Sequence, residues 1–381
     1  MTQQEPEHGA IKRVARLIAE AKRPVIVAGR GAILAGARAE IDELGELAGA
    51  LMATSLLGKG FFDGHPYDVG ISGSYSSNPT EKLMADADFV LGIGASMNFF
   101  TTEGGMLFPE AKVARIDTKP FPSDIGVVPG EYICGDARLA TVALTKALKA
   151  QGVRKEGYRT AETRALLKVA PIADPRTDGI DQRQLMHVLS TCLPERAQVI
   201  TDAGQFWNWP HAYLALPRGA SYQHTCNFGS VGLGVSQGIG AAIGSPDRLT
   251  VVITGDGGLL QCIQELHVAA QYKVPIVVLV MNDAGYGAEV HKMNAKGMNP
   301  RDVVWDSPDF VAVARGFGGD GTVIRSSDAL VVAFADAVRS GGPYVIDARI
   351  SPSLTGDYYQ RIYLGRENPT PLLRPQTAQA R

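Results

Sequence analysis

The chain has 381 residues, of which 45% are hydrophobic and 20% charged, with a formal net charge of −2. That length suits two or three domains, each able to bury its own core. The balanced charge gives no electrostatic footing for nucleic acid or an anionic membrane, and no apolar run approaches the length of a bilayer span. The N-terminus, MTQQEPEHGA, is polar and has no apolar signal region. Cys134, Cys192, Cys226 and Cys262 are widely spaced, with no CxxC pair. They read as reduced buried thiols of a cytoplasmic protein rather than as disulfides or a zinc site.

In chain order, residues 11–20 read as an amphipathic helix, 24–28 as a buried strand, 40–49 as a helix and 51–55 as a strand. Residues 80–85 follow as helix and 89–93 as strand, ending at Gly94. Then come strand 112–117, a short strand at 132–134 and helix 139–149. Residues 151–180, which include KVAPIADPRTDG, read as a linker. A second series opens with helix 181–193 and strand 198–201 and runs to strand 344–349. Alternation of this kind predicts an α/β chain with two doubly wound parallel-sheet domains, at residues 1–150 and 181–365. The Pro-rich segment 366–381 reads as a flexible tail.

Gly29-Arg30-Gly31 follows the first strand and invites a dinucleotide reading. Leu34, however, stands where the third glycine of GxGxxG belongs, and no acidic residue ends strand 51–55 to hold a ribose. A tight strand-to-helix turn is the better account of these glycines.

The second half carries more chemistry. A strand over 249–254 runs into Gly255-Asp256-Gly257-Gly258, a helix pattern covers 259–272, and a buried strand over 276–281 ends at Asn282-Asp283. This βαβ unit puts a carboxylate at the end of each strand and a glycine turn at a helix N-terminus. Such a turn offers unpaired N–H groups and a positive dipole end to an anion. Two oxygen ligands 27 positions apart beside a phosphate site suit an octahedral Mg²⁺ bridging protein to diphosphate. Asp256 would also serve as a plain helix N-cap. A dinucleotide-type unit is the competing reading, but no acidic residue follows these glycines in a ribose-binding context.

The run GDGGLLQCIQELHVAAQYKVPIVVLVMNDAGYG resembles the diphosphate-binding motif of thiamine-diphosphate enzymes in the acetolactate synthase and benzoylformate decarboxylase group. RPVIVAGRGA, VLGIGASMN and ARIDTKP resemble the central, Rossmann-like domain of the acetolactate-synthase-like members. The resemblance implies thiamine diphosphate and Mg²⁺ as cofactors. Asp256, Asp283 and the carbonyl of Gly285 would hold the metal, and Gly255, Gly257 and Gly258 would face the diphosphate. Aspartate at 283 departs from the usual asparagine, adding charge that should tighten a hard cation and make its binding more pH-sensitive.

Ala203-Gly204-Gln205-Phe206 resembles the segment that touches the diphosphate, although a surface loop would look alike. Gly229-Ser230-Val231 resembles the loop whose apolar residue, here Val231, wedges the two rings of the cofactor into a V. Valine is smaller than the Met, Leu or Ile usual at that position, and a core residue would look identical. Tyr286, Gly287 and Ala288 complete the implied cofactor contacts, and the small Ala288 faces substrate, with room for a bulky acyl group or a second aldehyde. His291 is a candidate proton shuttle, with a solvated side chain as the alternative. Glu265 and His267 read as packing or solvated residues, and Trp207, Trp209 and Tyr213 as core or subunit interface.

In the family the central domain binds FAD in some members and nothing in others, and this sequence does not select FAD. The resemblance does not extend to the pyrimidine-binding domain, which supplies the glutamate that bonds the aminopyrimidine. It therefore implies the large subunit of a split enzyme acting on 2-oxo acids or aldehydes by decarboxylation with carboligation. A small pyrimidine-domain subunit would be its partner in a hetero-oligomer. A simple decarboxylase, an aldehyde lyase or a 2-hydroxyacyl-CoA lyase stays open. So do an FAD- or NAD-binding redox protein and a cofactor-binding scaffold without turnover.

Overall fold

A computed structural model describes residues 4–119, 127–167, 178–225 and 227–360. The chain divides into two compact units between Ala170 and Pro171. The first is built on β1 (Pro24–Ala28), β2 (Leu51–Thr54), β3 (Asp68–Ile71), β4 (Phe89–Ile93), β5 (Lys112–Asp117) and β6 (Glu131–Cys134). Their order across the sheet is β3-β2-β1-β4-β5-β6, and every pairing is parallel. Apolar side chains cover both faces, as a parallel sheet requires. Ile26 and Ala28 point into one core cluster, and Val25 and Val27 into the other. Helix His8–Glu20 buries Ile11, Val14, Ala15 and Ile18 on one stripe. Burying each such Ile or Val contributes about 1.5–3 kcal/mol.

The second unit holds β7 (Gln198–Thr201), β8 (Ser221–His224), β9 (Thr250–Gly255), β10 (Ile276–Asn282), β11 (Asp320–Ile324) and β12 (Tyr344–Arg349). Its order is β11-β12-β10-β9-β7-β8, again wholly parallel. Two doubly wound α/β sheets are thus present. In each, the chain works outward from a central strand in both directions and leaves a crevice at the strands' C-terminal ends where the direction reverses. That point lies between β1 and β4 in the first sheet and between β7 and β9 in the second.

Several details differ from the sequence reading. The strands β3, β8 and β11 were not expected, and each lies at a sheet edge. The helix pattern over 259–272 is interrupted, giving Asp256–Cys262 and Glu265–Gln271. Residues 151–167, placed in a linker by composition, lie against the first unit and include a helix, Ala161–Leu166. Lys155 donates to the carbonyls of Ile18 and Ala19, and Arg159 to that of Ala50, so charged side chains here close helix and strand ends rather than face solvent. Cys134 and Cys192 are half-buried and Cys262 is buried, all three as free thiols. Cys226 and the tail at 366–381 lie outside the described residues. No helix among the described residues is long and apolar enough to cross a membrane.

Candidate functional site

The second crevice opens into a cavity of about 180 Å³. Four loops line it, each leaving the C-terminal end of a strand. The loop after β7 contributes Ala203, Gly204, Gln205 and Phe206, and the loop after β8 contributes Gly229 and Val231. The turn after β9 contributes Gly255, Asp256, Gly257 and Gly258, and the turn after β10 Asp283, Gly285, Tyr286, Gly287 and Ala288. These residues, scattered in sequence, are brought to one wall. Ser230 and His291 do not line it, and the His291 ring instead pairs with the Thr355 hydroxyl at 3.1 Å.

Glycine is needed at both turns for stated steric reasons. A Cβ at Gly257 would stand 2.6 Å from the Tyr286 ring, and one at Gly258 would stand 2.7 Å from the Thr254 hydroxyl. One at Gly287 would stand 2.3 Å from Asp283 Oδ2. The helix Asp256–Cys262 starts directly after β9, so the N–H groups of its first turn have no acceptor within the helix.

The turn after β10 is held from behind. Asn282 Oδ1 accepts from the Ala284 N–H at 3.1 Å and the Ser307 hydroxyl at 2.8 Å, while its Nδ2 donates to buried Asp347 at 2.9 Å. Ala284 is thereby kept at φ 60°, a left-handed conformation uncommon for alanine. The Tyr286 N–H donates to Val303 O at 2.9 Å, and the Trp305 N–H to Ala284 O at 3.1 Å. Gly285, between them, keeps its carbonyl out of this pair of bonds.

The electrostatics of the two carboxylates call for a cation. Asp256 is 1% exposed, and its Oδ2 is buried and accepts no hydrogen bond. Burial pushes its pKa up to about 6. Asp283 is raised well above the usual carboxylate range, first by burial and then by the negative charge of Asp256 beside it. Among the described residues no cluster of three or more His, Cys, Asp or Glu side chains could hold a metal. A cation at this pair would therefore draw further ligands from backbone carbonyl, water and a bound anion, the habit of Mg²⁺. Gln205 adds a buried Oε1 without a hydrogen bond, while its Nε2 donates to Leu354 O at 2.9 Å. The donor set fits a metal and a diphosphate.

Some lining residues were not anticipated there. Met281, Lys292 and Tyr359 also face the cavity, and the Lys292 ammonium lies 5.8 Å from the Tyr359 ring centroid. Trp207, expected in core or interface, lines it too and packs its ring edge-on to His224 at 5.0 Å. Trp209 and Tyr213 belong to the core cluster and its margin. Buried Asp202, just before the Ala203 segment, bonds the loop after β8 and the end of β9. Its neighbourhood in sequence held no signal beyond an acid at a strand end. A wider depression of about 550 Å³ lies at the ends of β11 and β12. Its Arg349 pairs with Asp347 at 2.7 Å, and the carboxylate of its Asp309 caps a helix.

Residues 202–348 match the family described as "Thiamine pyrophosphate enzyme, C-terminal TPP binding domain", and residues 11–144 the family described as "Thiamine pyrophosphate enzyme, central domain". A probable acetolactate synthase large subunit of Methanocaldococcus jannaschii is 30% identical over 354 residues, covering 90% of this chain and 60% of that protein. The acetolactate synthase isozyme 3 large subunit of Escherichia coli is 26% identical over 361 residues, covering 91% and 62%. Sulfoacetaldehyde acetyltransferase of Castellaniella defragrans is 27% identical over 345 residues, covering 83% and 58%. The chain thus spans about 60% of the length of the curated relatives it matches.

Proposed function

The chain belongs to the thiamine-diphosphate-dependent enzymes of the acetolactate synthase family, and from that premise we propose that it is the larger part of a split, Mg²⁺-dependent enzyme acting on 2-oxo acids by decarboxylation with carboligation. The observation that carries the reading is the pair Asp256, buried, and Asp283, half-buried, two neighbouring carboxylates facing one cavity and flanked by a glycine turn.

In this reading Asp256, Asp283 and the Gly285 carbonyl hold Mg²⁺, and the backbone at Gly257 and Gly258 holds the diphosphate. When bound, thiamine diphosphate supplies the nucleophilic carbon and the electron sink for breaking and making bonds beside a carbonyl. The residues of the chain bind, orient and enclose it. Val231 would support the rings of the bound cofactor, and half-buried Ala288 would leave space for an acceptor. His291, the candidate proton shuttle, is tethered to the Thr355 hydroxyl beside the cavity lining. The glutamate that addresses the aminopyrimidine would come from a pyrimidine-binding domain on a small partner subunit, in a hetero-oligomer.

Native mass spectrometry of the protein purified from its source cells with Mg²⁺ and thiamine diphosphate tests this. A second polypeptide of about domain size, with stoichiometric cofactor, would license screening of 2-oxo acids with the complex. A homo-oligomer that retains no cofactor would overturn the split-enzyme reading and favour a scaffold.

A further inference from the structure

Asp202 follows β7 at the point where the second sheet reverses direction, and it is fully buried, at 0% exposure. Neutral donors from three segments converge on its carboxylate. Oδ1 accepts from the N–H groups of Ala203 at 2.8 Å and Leu233 at 3.3 Å, and the Gly232 N–H lies 3.1 Å from both oxygens. Oδ2 accepts from the Thr254 hydroxyl at 2.9 Å, at the end of β9 just before the glycine turn. The loop that carries Val231 and the end of β9 just before the glycine turn are thus tied to one side chain, the loop through both oxygens and β9 through Oδ2.

Packing reinforces the tie. A Cβ on Gly258 would stand 2.9 Å from Asp202 Oδ2 and 3.5 Å from Val231 Cγ1, so wedge, turn and carboxylate meet at one place. Gly232 takes φ +89°, and a Cβ there would stand 2.8 Å from Gln261 Cβ, on the helix after the turn. The preceding Phe228 is fully exposed and also left-handed, at φ 60°. The loop therefore gains little from burial at its tip and relies on its anchor at Gly232 and Leu233.

We propose that Asp202 is a positioning residue that locks the Val231 loop to the diphosphate turn, so that anchoring the diphosphate and supporting the cofactor's rings become one event. A carboxylate suits the task because its two oxygens can each accept from a separate segment, whereas an amide would present N–H groups to donors on one side. The inference rests on the cofactor reading given above and adds a coupling between two of its parts.

Calorimetric titration of the full chain with Mg²⁺ plus thiamine diphosphate, and separately with Mg²⁺ plus inorganic diphosphate, separates the possibilities. In the unaltered chain the ring-bearing ligand should bind more tightly. Asp202→Asn should weaken thiamine diphosphate by about tenfold, the range for a residue supporting a primary ligand, and leave inorganic diphosphate unchanged. Val231→Ala should behave alike, and the double variant should be no weaker than either single one, because both remove the same support. Thr254→Val cuts the tie on the turn side alone and should shift the two ligands in the same direction as Asp202→Asn; it decides the matter if Asp202→Asn fails to fold.

Equal weakening of both ligands, no weakening of either, or effects of Asp202→Asn and Val231→Ala that multiply would each overturn the proposal. Failure of the unaltered chain to bind either ligand even in complex with the second polypeptide would instead bring down the cofactor reading itself.

Discussion

Each unit winds six parallel strands and reverses direction beside a glycine-bearing turn, but the two crevices have different contents. In the first, the Gly29 N–H donates to Ile93 O and the Gly31 N–H to Gly94 O, each at 2.9 Å. A Cβ on Gly29 would stand 2.3 Å from Gly94 O, and one on Gly31 2.7 Å from Gly94 Cα. Backbone fills that crevice, and its glycines permit close approach of two loops. In the second, the side chain of Asp202 joins the corresponding strand ends, and Asp256 and Asp283, at the ends of β9 and β10, face a cavity. Topology supplies the same crevice twice; the loops decide which one can receive a ligand.

Two alanine substitutions test that contrast most severely. Gly287→Ala would drive a methyl group into Asp283 Oδ2. Mg²⁺-dependent binding of thiamine diphosphate should fall about 100-fold, at or beyond the upper end for residues that merely support a ligand, with the apo protein melting nearly as before. Gly29→Ala meets backbone at the same 2.3 Å and should cost about 1–3 kcal/mol of stability, as overpacking does, with cofactor affinity unchanged below the melting range. Calorimetry and thermal melts of both variants give the answer. Loss of cofactor binding in Gly29→Ala would mean that the first crevice takes part in the site.

Asp283→Asn sharpens the comparison from the electrostatic side. It keeps an oxygen donor and removes one of two like charges. Apo stability at neutral pH should rise, because the repulsion and burial that hold Asp283 above its usual range disappear. Mg²⁺ affinity should fall by about tenfold, since hard-cation affinity follows ligand charge. A variant that binds Mg²⁺ as tightly as the parent would show that Asp283 contributes no charge to the metal site.

The sequence disclosed these crevices unequally, for physical reasons. Interior strands were legible because both faces are apolar: β1, β4 and β10 are buried at every position. The unexpected strands β3, β8 and β11 are short, only partly buried and interrupted by glycine or polar residues, and such segments resemble loops. Asp256 and Asp283 were legible because each ends a strong strand beside glycine. Asp202 ends a strand as well, but its function is set by Gly232, Leu233 and Thr254, which only the fold brings to it. Lys292 and Tyr359 were likewise beyond reach, since neither belongs to a recognisable motif. The fate of Gly29 and Gly31 was half visible: the missing third glycine argued against a ribose site, but the closeness of Gly94 needed coordinates.

The smallest expected effect separates the units by acid sensitivity. Each contains a histidine kept neutral: His65 in the first and His224 in the second, both lowered from 6.5 to about 4, chiefly by burial. For His65 the charge of Arg159 adds to burial, and its Nδ1 accepts the Tyr67 N–H at 3.1 Å, a bond that protonation would break. His224 is enclosed instead by Trp207 and by His211, whose ring centroid is 4.8 Å away. A histidine whose folded pKa lies below its unfolded value takes up its proton more readily in the unfolded chain. The stability it permits is therefore complete above pH 6.5 and is lost as pH falls toward 4. His65→Gln and His224→Gln should each recover about 2–4 °C of melting temperature at the acid end of that window, the shift that ~1 kcal/mol gives a domain of this size. Because the two histidines share no partner, their gains should add. Recovery from His224→Gln alone would place the acid weakness in the unit that bears the cavity, and would make the filled crevice the sturdier of the two.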